Sequence, residues 1–547
     1  MKKFKPGISF SDFVISDSSK SRSKIEDRVP NDYRRGWLVW IFVVIGFGFI
    51  GVRLISMQLI EGDEYKVLSD ENRIKKIKII APRGRILDRN GLTLAGNLID
   101  GKIIREYPHG QAGAHLVGYL GEVSEDEVGL LKEKGEKYDA GDLIGRSGLE
   151  ALYEYRLRGI DGGRLVEVDN VGQVSRELGV QNPQPGQDVI VSLDVKLSEE
   201  SVKAIDGKKG AVVVSNPKTG EILSMISSPS FDPNTLSTQY SSLSTHSDLP
   251  LFNRAIGGVY PPGSTFKMVT TLAAIESGKV DTNFTYEDKG VIKVGIFSYS
   301  NWLFSKSGGV EGVVGFSRAL SRSTDTFFYT VGELTTPGEI AKWAKMMGFG
   351  QKTGFEAYGE VEGLIPDPEW KLRFKNENWF LGDTYITAIG QGDILTTPLQ
   401  INQMTNILAT GGKKCKPTLN QNPNNDQCLN IQISKESLDI IKKGMVGACS
   451  IGGTGFVFFD WNSKENYPKV ACKTGTAEFT AVNGKMRTHA LFTAFAPADD
   501  PQISVTVVIE GGGEGSNVAA PIARKVMAKY FGVEDKYPYG SIRQISE

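Results

Sequence analysis

Residues 210–228 read GAVVVSNPKTGEILSMISS, and residues 503–510 read ISVTVVIE. The first stretch holds two apolar, β-branched runs around the turn Lys218-Thr219-Gly220-Glu221, the pattern of a hairpin. The second repeats that strand texture near the C-terminus. It breaks at GGGEGS and gives way to PIARKVMAKYF, which has helical spacing. Stretches with helical periodicity fill the interval. Strands at both ends with helices between predict an α+β domain over residues 195–547, with a sheet that unites its two extremities.

Upstream, residues 59–194 carry short alternating runs such as LVEVDNV and DVIVSLDV, interrupted by Gly, Asn and Pro. They read as a β-rich pedestal domain. Before it, Gly36–Val52 (GWLVWIFVVIGFGFIGV) has no charge, and the apolar character extends to about residue 58, enough to cross a bilayer core. Trp37 and Trp40 stand near one end, where interfacial aromatics belong. The segment starts late and lacks a small-residue cleavage site, so a retained single-pass anchor over 36–58 is expected rather than a signal peptide. The tail 1–35 contains Lys2, Lys3, Lys5, Lys20, Arg22, Lys24, Arg28, Arg34 and Arg35. Basic residues close to a span keep that side cytoplasmic, which places the remainder outside the membrane.

With 547 residues, 40% of them apolar, the chain exceeds what one core supports. Its 63 basic and 64 acidic side chains nearly cancel, which removes the electrostatic reason to expect nucleic acid. Four cysteines are too few to scaffold so large an exported region. Cys415 and Cys428 bracket a Pro- and Asn-rich loop that a disulfide could close in an oxidising compartment. The histidines are scattered and no Cys/His spacing suits zinc, so no metal and no cofactor are expected.

Three patterns carry the chemistry. In YPPGSTFKMVTTLAAIESG a helix opens after Pro262-Gly263, placing Ser264 in its first turn and Lys267 one turn later on the same face. A serine needs a base to attack a carbonyl, and lysine serves only when burial or neighbouring positive charge lowers its pKa. Ser-x-x-Lys alone says little, because Ser21–Lys24 matches it too. What distinguishes Ser264 is the Pro-Pro-Gly before it and the apolar helix after it. In LSRSTDTFFYTVG, Ser323 and Asp325 offer a hydroxyl and a carboxylate, with helix capping as the alternative reading. In VACKTGTAEF an apolar strand carries Lys473, Thr474, Gly475 and Thr476, and a strand edge with free amides can form an oxyanion hole. A second triplet, Lys352-Thr353-Gly354, sits among glycines and reads as a turn.

In order, these patterns resemble the signature of penicillin-binding proteins and class A β-lactamases. NRIKKIKIIAPRGRILDRNGLTLAGN (Asn72–Asn97), IGRSGLEALYEYRLRGIDG (Ile144–Gly162) and Gly210–Asn234 are similar to stretches of the class B penicillin-binding proteins. STDTFFY, IPDPEWK and GDTYITAIGQGDILTTPLQ are more similar to the elongation branch. The resemblance implies a transpeptidase domain of the penicillin-binding or serine β-lactamase-like fold, a mixed sheet flanked by helices. It implies a Ser264 acyl-enzyme made from the D-Ala-D-Ala end of a peptidoglycan stem peptide, Lys267 as general base and Ser323 as proton shuttle. Lys473 would supply positive field, and Thr474, Gly475 and Thr476 the substrate strand. The amides of Ser264 and Thr476 would form the oxyanion hole, about 3 to 4 kcal/mol per donor in other enzymes. β-Lactam antibiotics would acylate Ser264. Glycan polymerisation would come from a membrane glycosyltransferase of the shape, elongation, division and sporulation family.

Two positions depart from that pattern. Asp325 stands where many relatives have Asn, and an ionised carboxylate there favours protonated lysines. Cys472 stands where Gly is usual and sets a thiol beside the substrate strand. Competing readings are a division-specific transpeptidase, a water-using β-lactamase or carboxypeptidase, and a non-catalytic β-lactam sensor or scaffold.

Overall fold

The structure, a computed structural model, describes residues 33–539 apart from 101, 170, 424–427 and 482–483. The Lys/Arg cluster from Lys2 to Arg28 and the Ser21–Lys24 match lie outside the described residues. The chain divides into two compact units. In the first, a helix over Tyr33–Ile55 continues as a π-turn over Ser56–Ile60. Its apolar side chains are exposed all round, as in a segment that faces lipid rather than a protein core. A strand over Ile74–Ile79 joins a hairpin formed by Gly162–Val168 and Val174–Gln181 in a three-stranded sheet.

The second unit holds the rest. Its N-terminal part is a small sheet of Lys102–Glu106, Thr93–Asp100, Ile86–Leu87 and Val189–Ile190. Beside it lies a buried ion cluster in which Arg83 and Arg105 each reach Glu150 at 2.7 Å. Buried charges cost free energy unless paired, and here both guanidinium groups share the one carboxylate.

The dominant sheet has five strands: β1 (Gly210–Ser215), β2 (Ile222–Ser228), β3 (Ala471–Thr480), β4 (Met486–Ala496) and β5 (Ile503–Ile509). Their order is β2-β1-β5-β4-β3, so the N-terminal hairpin pairs with the C-terminal strand as the sequence predicts. Every pairing is antiparallel, which corrects the expected mixed sheet. Short loops join β1 to β2, β3 to β4 and β4 to β5, and a short connection between neighbouring strands reverses direction.

Helices cover both faces; one face of the central strands is apolar, and the other adds to its apolar residues the buried, hydrogen-bonded Ser215, Ser504, Thr493 and Thr506. Val212, Val214, Val505 and Val507 pack with α1 (Val195–Ile205) and α7 (Ala519–Phe531). The alternate residues Ala211 and Val213 join a second core that includes Leu399 of α5 (Pro398–Ala409). The catalytic-side helices are α2 (Lys267–Glu276), α3 (Phe316–Arg322), α4 (Asp325–Thr335) and α6 (Lys435–Ala448).

Both cysteine pairs are disulfides. Cys415 bonds Cys428, closing the loop identified in the sequence. Cys472 bonds Cys449, so the expected thiol beside the substrate strand is corrected to half of a cystine, and it points into the core behind β3 rather than toward the cleft.

Phe492 on β4 is fully buried and stacks on Phe458 with ring centroids 5.6 Å apart. Phe492→Ala is expected to cost about 3–5 kcal/mol, measured by denaturant unfolding of the detergent-solubilised protein. A loss below about 1 kcal/mol would contradict this account of the core.

Candidate active site

The serine turn is built by Pro262 and Gly263. Gly263 has φ +52°, and a Cβ there would stand 3.0 Å from the Thr476 carbonyl oxygen, so only glycine allows the turn to lie against β3. A 3-10 turn over Gly263–Phe266 then feeds α2. Its first residue is tied back by Gly263 N–H donating to the Gly390 carbonyl at 2.8 Å. Ser264 is half-buried in this turn, while Lys267 is completely buried at the start of α2. Gly475 is the reciprocal feature on the strand, because a Cβ there would meet Thr265 Cγ2 at 3.1 Å and Pro262 O at 3.3 Å. The two glycines let helix and strand approach backbone to backbone.

Ser323 ends α3 in the left-handed conformation, φ +57°, unusual for a residue with a side chain. That bend turns both its carbonyl and its hydroxyl toward Lys267, whose Nζ donates to Ser323 O at 2.8 Å and to Ser323 Oγ at 3.1 Å. Lys473 Nζ reaches the same Oγ at 3.0 Å from the opposite side, and also Thr474 O at 3.2 Å. One hydroxyl therefore bridges two buried amines. Asp325 completes the cluster: Oδ1 accepts from Lys267 Nζ at 2.6 Å, and Oδ2 from the Trp302 amide at 3.0 Å. Neither Ser323 nor Asp325 makes a side-chain cap on α4, which separates them from the capping alternative.

The electrostatics follow from burial. Desolvation pushes the Lys267 amine below the ordinary lysine range, partly offset by the charge and hydrogen bond of Asp325. Lys473 is pushed well below that range by desolvation and then by the positive charge of Lys267, with Asp325 opposing. Two ammonium groups and one carboxylate cannot all be charged comfortably in this volume. Lys267 is the amine paired with Asp325, and burial presses Lys473 toward its neutral form.

On β3, Thr476 O accepts from Gln391 Nε2 and the Glu478 amide donates to Gln391 Oε1, each at 3.2 Å. Both groups face the sheet's free edge. In an antiparallel strand a residue's N–H and C=O point to the same side, so the Thr476 amide faces that edge too, beside the serine turn. Thr474 Oγ1 pairs with Thr454 Oγ1 at 2.8 Å. Thr476 Oγ1 accepts from the Gly515 amide at 3.4 Å. The other triplet, Lys352-Thr353-Gly354, lies in an irregular loop rather than the expected turn, with the Thr353 and Gly354 amides held by Glu360 and no strand geometry.

Several contributors escape sequence reading. Asn301 accepts the Asp325 amide at 3.2 Å and donates to Asp288 at 2.9 Å, while Thr326 donates to Asp288 at 2.7 Å. Burial alone would raise the Asp288 carboxyl, but the Glu311 amide, Thr326, Gly290 and Asn301 together hold it below the ordinary range. Gln391 and Thr454 are likewise contacts made across long chain separations. The flanking glycines of Gly-Gln-Gly were a visible turn signal, but nothing at Thr454 or Asn301 marks its partner.

Residues 210–528 match the penicillin binding protein transpeptidase domain family, and residues 98–191 match the penicillin-binding protein dimerisation domain family. The chain is 30% identical over 599 residues to the peptidoglycan D,D-transpeptidase MrdA of Acinetobacter baumannii, covering 91% of this chain and 87% of that protein. The crystal structure of Pseudomonas aeruginosa PBP2 in complex with WCK 5153 superposes with a TM-score of 0.72 at 33% identity, over 84% of this chain and 99% of that one. A chain from a peptidoglycan synthase complex, described as coordinating polymerization and crosslinking, superposes with a TM-score of 0.73 at 29% identity, over 92% of this chain and 99% of its own length.

Asp325 supports the protonated form of Lys267 by its charge and its hydrogen bond, so Asp325→Asn is expected to move Lys267 to a lower titration point. NMR titration of 13C-labelled lysine side chains reads this directly. A Lys267 resonance that keeps its parental midpoint in Asp325→Asn would contradict the electrostatic reading.

Proposed function

The chain belongs to the penicillin-binding protein transpeptidase family, and on that premise we propose that it is a peptidoglycan D,D-transpeptidase that cross-links stem peptides during cell elongation. The observation that carries the mechanism is the Ser323 hydroxyl held between Lys267 and Lys473 at 3.1 and 3.0 Å, with Ser264 one turn ahead of Lys267.

Ser264 Oγ attacks the carbonyl carbon of the penultimate D-alanine, and its proton must leave as the C–O bond forms. Lys267 can take that proton once the one it carries in the Asp325 pair has moved on. Ser323 offers the path: its oxygen accepts from Lys267 while its own proton passes to neutral Lys473. The tetrahedral oxyanion forms against the amides of Ser264 and Thr476, which lie on the facing turn and strand edge. As the C–N bond breaks, the proton returns through Ser323 to the departing D-alanine amine. The acceptor's amine then attacks the ester carbonyl, the C–O bond breaks and Ser264 regains a proton. Thr474 and Thr476 lie along the strand where the donor's terminal carboxylate is bound.

A β-lactam presents a strained amide in place of the D-alanyl-D-alanine bond and acylates Ser264 by the same first half. Residues 59–194 serve as the pedestal and 195–547 as the transpeptidase domain. Among the described residues one helix, Gly36–Ile60, is long and apolar enough to anchor the chain in the membrane. With the basic residues before that helix on the cytoplasmic side, the catalytic unit works outside the membrane, where its substrate is. The likeness to a chain from a synthase complex that couples polymerization to crosslinking supports a membrane glycosyltransferase as partner.

Fluorescent penicillin is expected to label the parent protein, and Ser264→Ala to abolish the label on gels of detergent-solubilised membranes. Label that survives Ser264→Ala would overturn the assignment of the nucleophile.

A further inference from the structure

The segment that follows α6 runs Cys449-Ser450-Ile451-Gly452-Gly453-Thr454-Gly455 and lies between the second and third of the three catalytic patterns. Three contacts fasten it. Cys449, at the end of α6, is bonded to Cys472, the residue directly before Lys473 on β3. Thr454 Oγ1 pairs with Thr474 Oγ1, the residue directly after Lys473, at 2.8 Å. The Gly452 carbonyl accepts from Arg322 Nη1 at 2.9 Å, and Arg322 directly precedes Ser323. The segment thus grips both neighbours of Lys473 and one neighbour of Ser323.

Its conformation depends on the cystine. Both sulfurs are buried, and Gly455 packs so closely that a Cβ there would lie 2.9 Å from Cys472 Sγ and 3.1 Å from Cys449 Sγ. The Gly455 amide returns to the Ala448 carbonyl at 2.7 Å, folding the segment back on the end of α6. That helix is in turn fixed to α3: Ser317 Oγ donates to Ile440 O and Ser321 Oγ to Gly444 O, each at 3.0 Å. Ser323 directly follows α3, Cys449 directly follows α6 and β3 begins at Ala471, so the strap ties together the ends that carry the Ser323 hydroxyl and the Lys473 amine.

We propose that the Cys449–Cys472 disulfide and Thr454 are positioning elements for acylation, setting Lys473 and Thr474 in register with Ser323. Neither touches the reacting atoms. Without the cystine the 450–455 strap loses its anchor, Thr454 no longer orients the Thr474 hydroxyl, and Lys473 is free to drift from Ser323 Oγ. A displacement near 1 Å at such a group is worth about 100-fold in rate. This inference rests on Ser264 as the nucleophile.

The test measures the second-order rate of acylation by penicillin, and its pH dependence, for full-length protein well below each variant's melting temperature. Thr454→Val and the double variant Cys449→Ala/Cys472→Ala are each expected to acylate about 10- to 100-fold more slowly than the parent. Thr454→Ser is expected to restore the rate, and the double variant to shift the rising limb of the pH profile. Thr454→Val keeps the cystine, so it decides the matter even if the double variant does not fold. Folded variants that acylate within about twofold of the parent, or a Thr454→Val loss that Thr454→Ser does not recover, would overturn the proposal. A parent protein that penicillin does not acylate would instead overturn the Ser264 reading.

Discussion

The Lys267–Asp325 ion pair, 2.6 Å long and buried, is the constraint around which the catalytic region is arranged. Removing a charge from water costs several kcal/mol unless a partner and further hydrogen bonds compensate it. The fold provides them from four directions: α2 brings the lysine, the α3–α4 junction brings Ser323 and Asp325, the 301–302 turn caps the carboxylate, and β3 adds Lys473. Because the pair is satisfied, the second amine is the one burial presses furthest toward its neutral form. An asymmetric pair of lysines sharing one hydroxyl can store and return a proton, which is what acyl transfer through a serine ester requires.

Such an arrangement needs a rigid frame, since the shared hydroxyl tolerates little movement. The antiparallel sheet supplies it by joining the first and last strands of the catalytic region, with buried cores on both faces. β3 is one of the two edge strands, so its outer amides stay unpaired by the sheet and available to the cleft. An open edge is a liability elsewhere, and here Gln391 occupies part of it with a side-chain amide that imitates a neighbouring strand. Gly263 and Gly475 then bring the serine turn up to that edge at a separation no other residue pair would allow.

Much of this was legible in the sequence because it is local. The hairpin at 210–228, the strand at 503–510 and the serine turn after Pro262-Gly263 follow from spacing and from the conformations those residues allow. The Cys415–Cys428 closure was visible for the same reason. What was not legible depends on distant partners. Asp288 reaches the active region through Asn301 and Thr326, and no local pattern announces that chain. Cys472 was read as a thiol beside the substrate because its partner, 23 residues upstream, sits in a glycine-rich segment with no spacing rule to reveal it. The expected mixed sheet failed on a topological point, since three of its four pairings are hairpins and the fourth, β1 with β5, is antiparallel too.

The central claim is that burial holds the Lys473 amine well below the ordinary lysine range. The pH dependence of the rate at which penicillin acylates the parent protein tests it most directly. A depressed lysine pKa predicts a rate that rises with pH and levels off well below the ordinary lysine value of about 10.4. A rate still rising through that value, as for a solvent-exposed amine, would contradict the account.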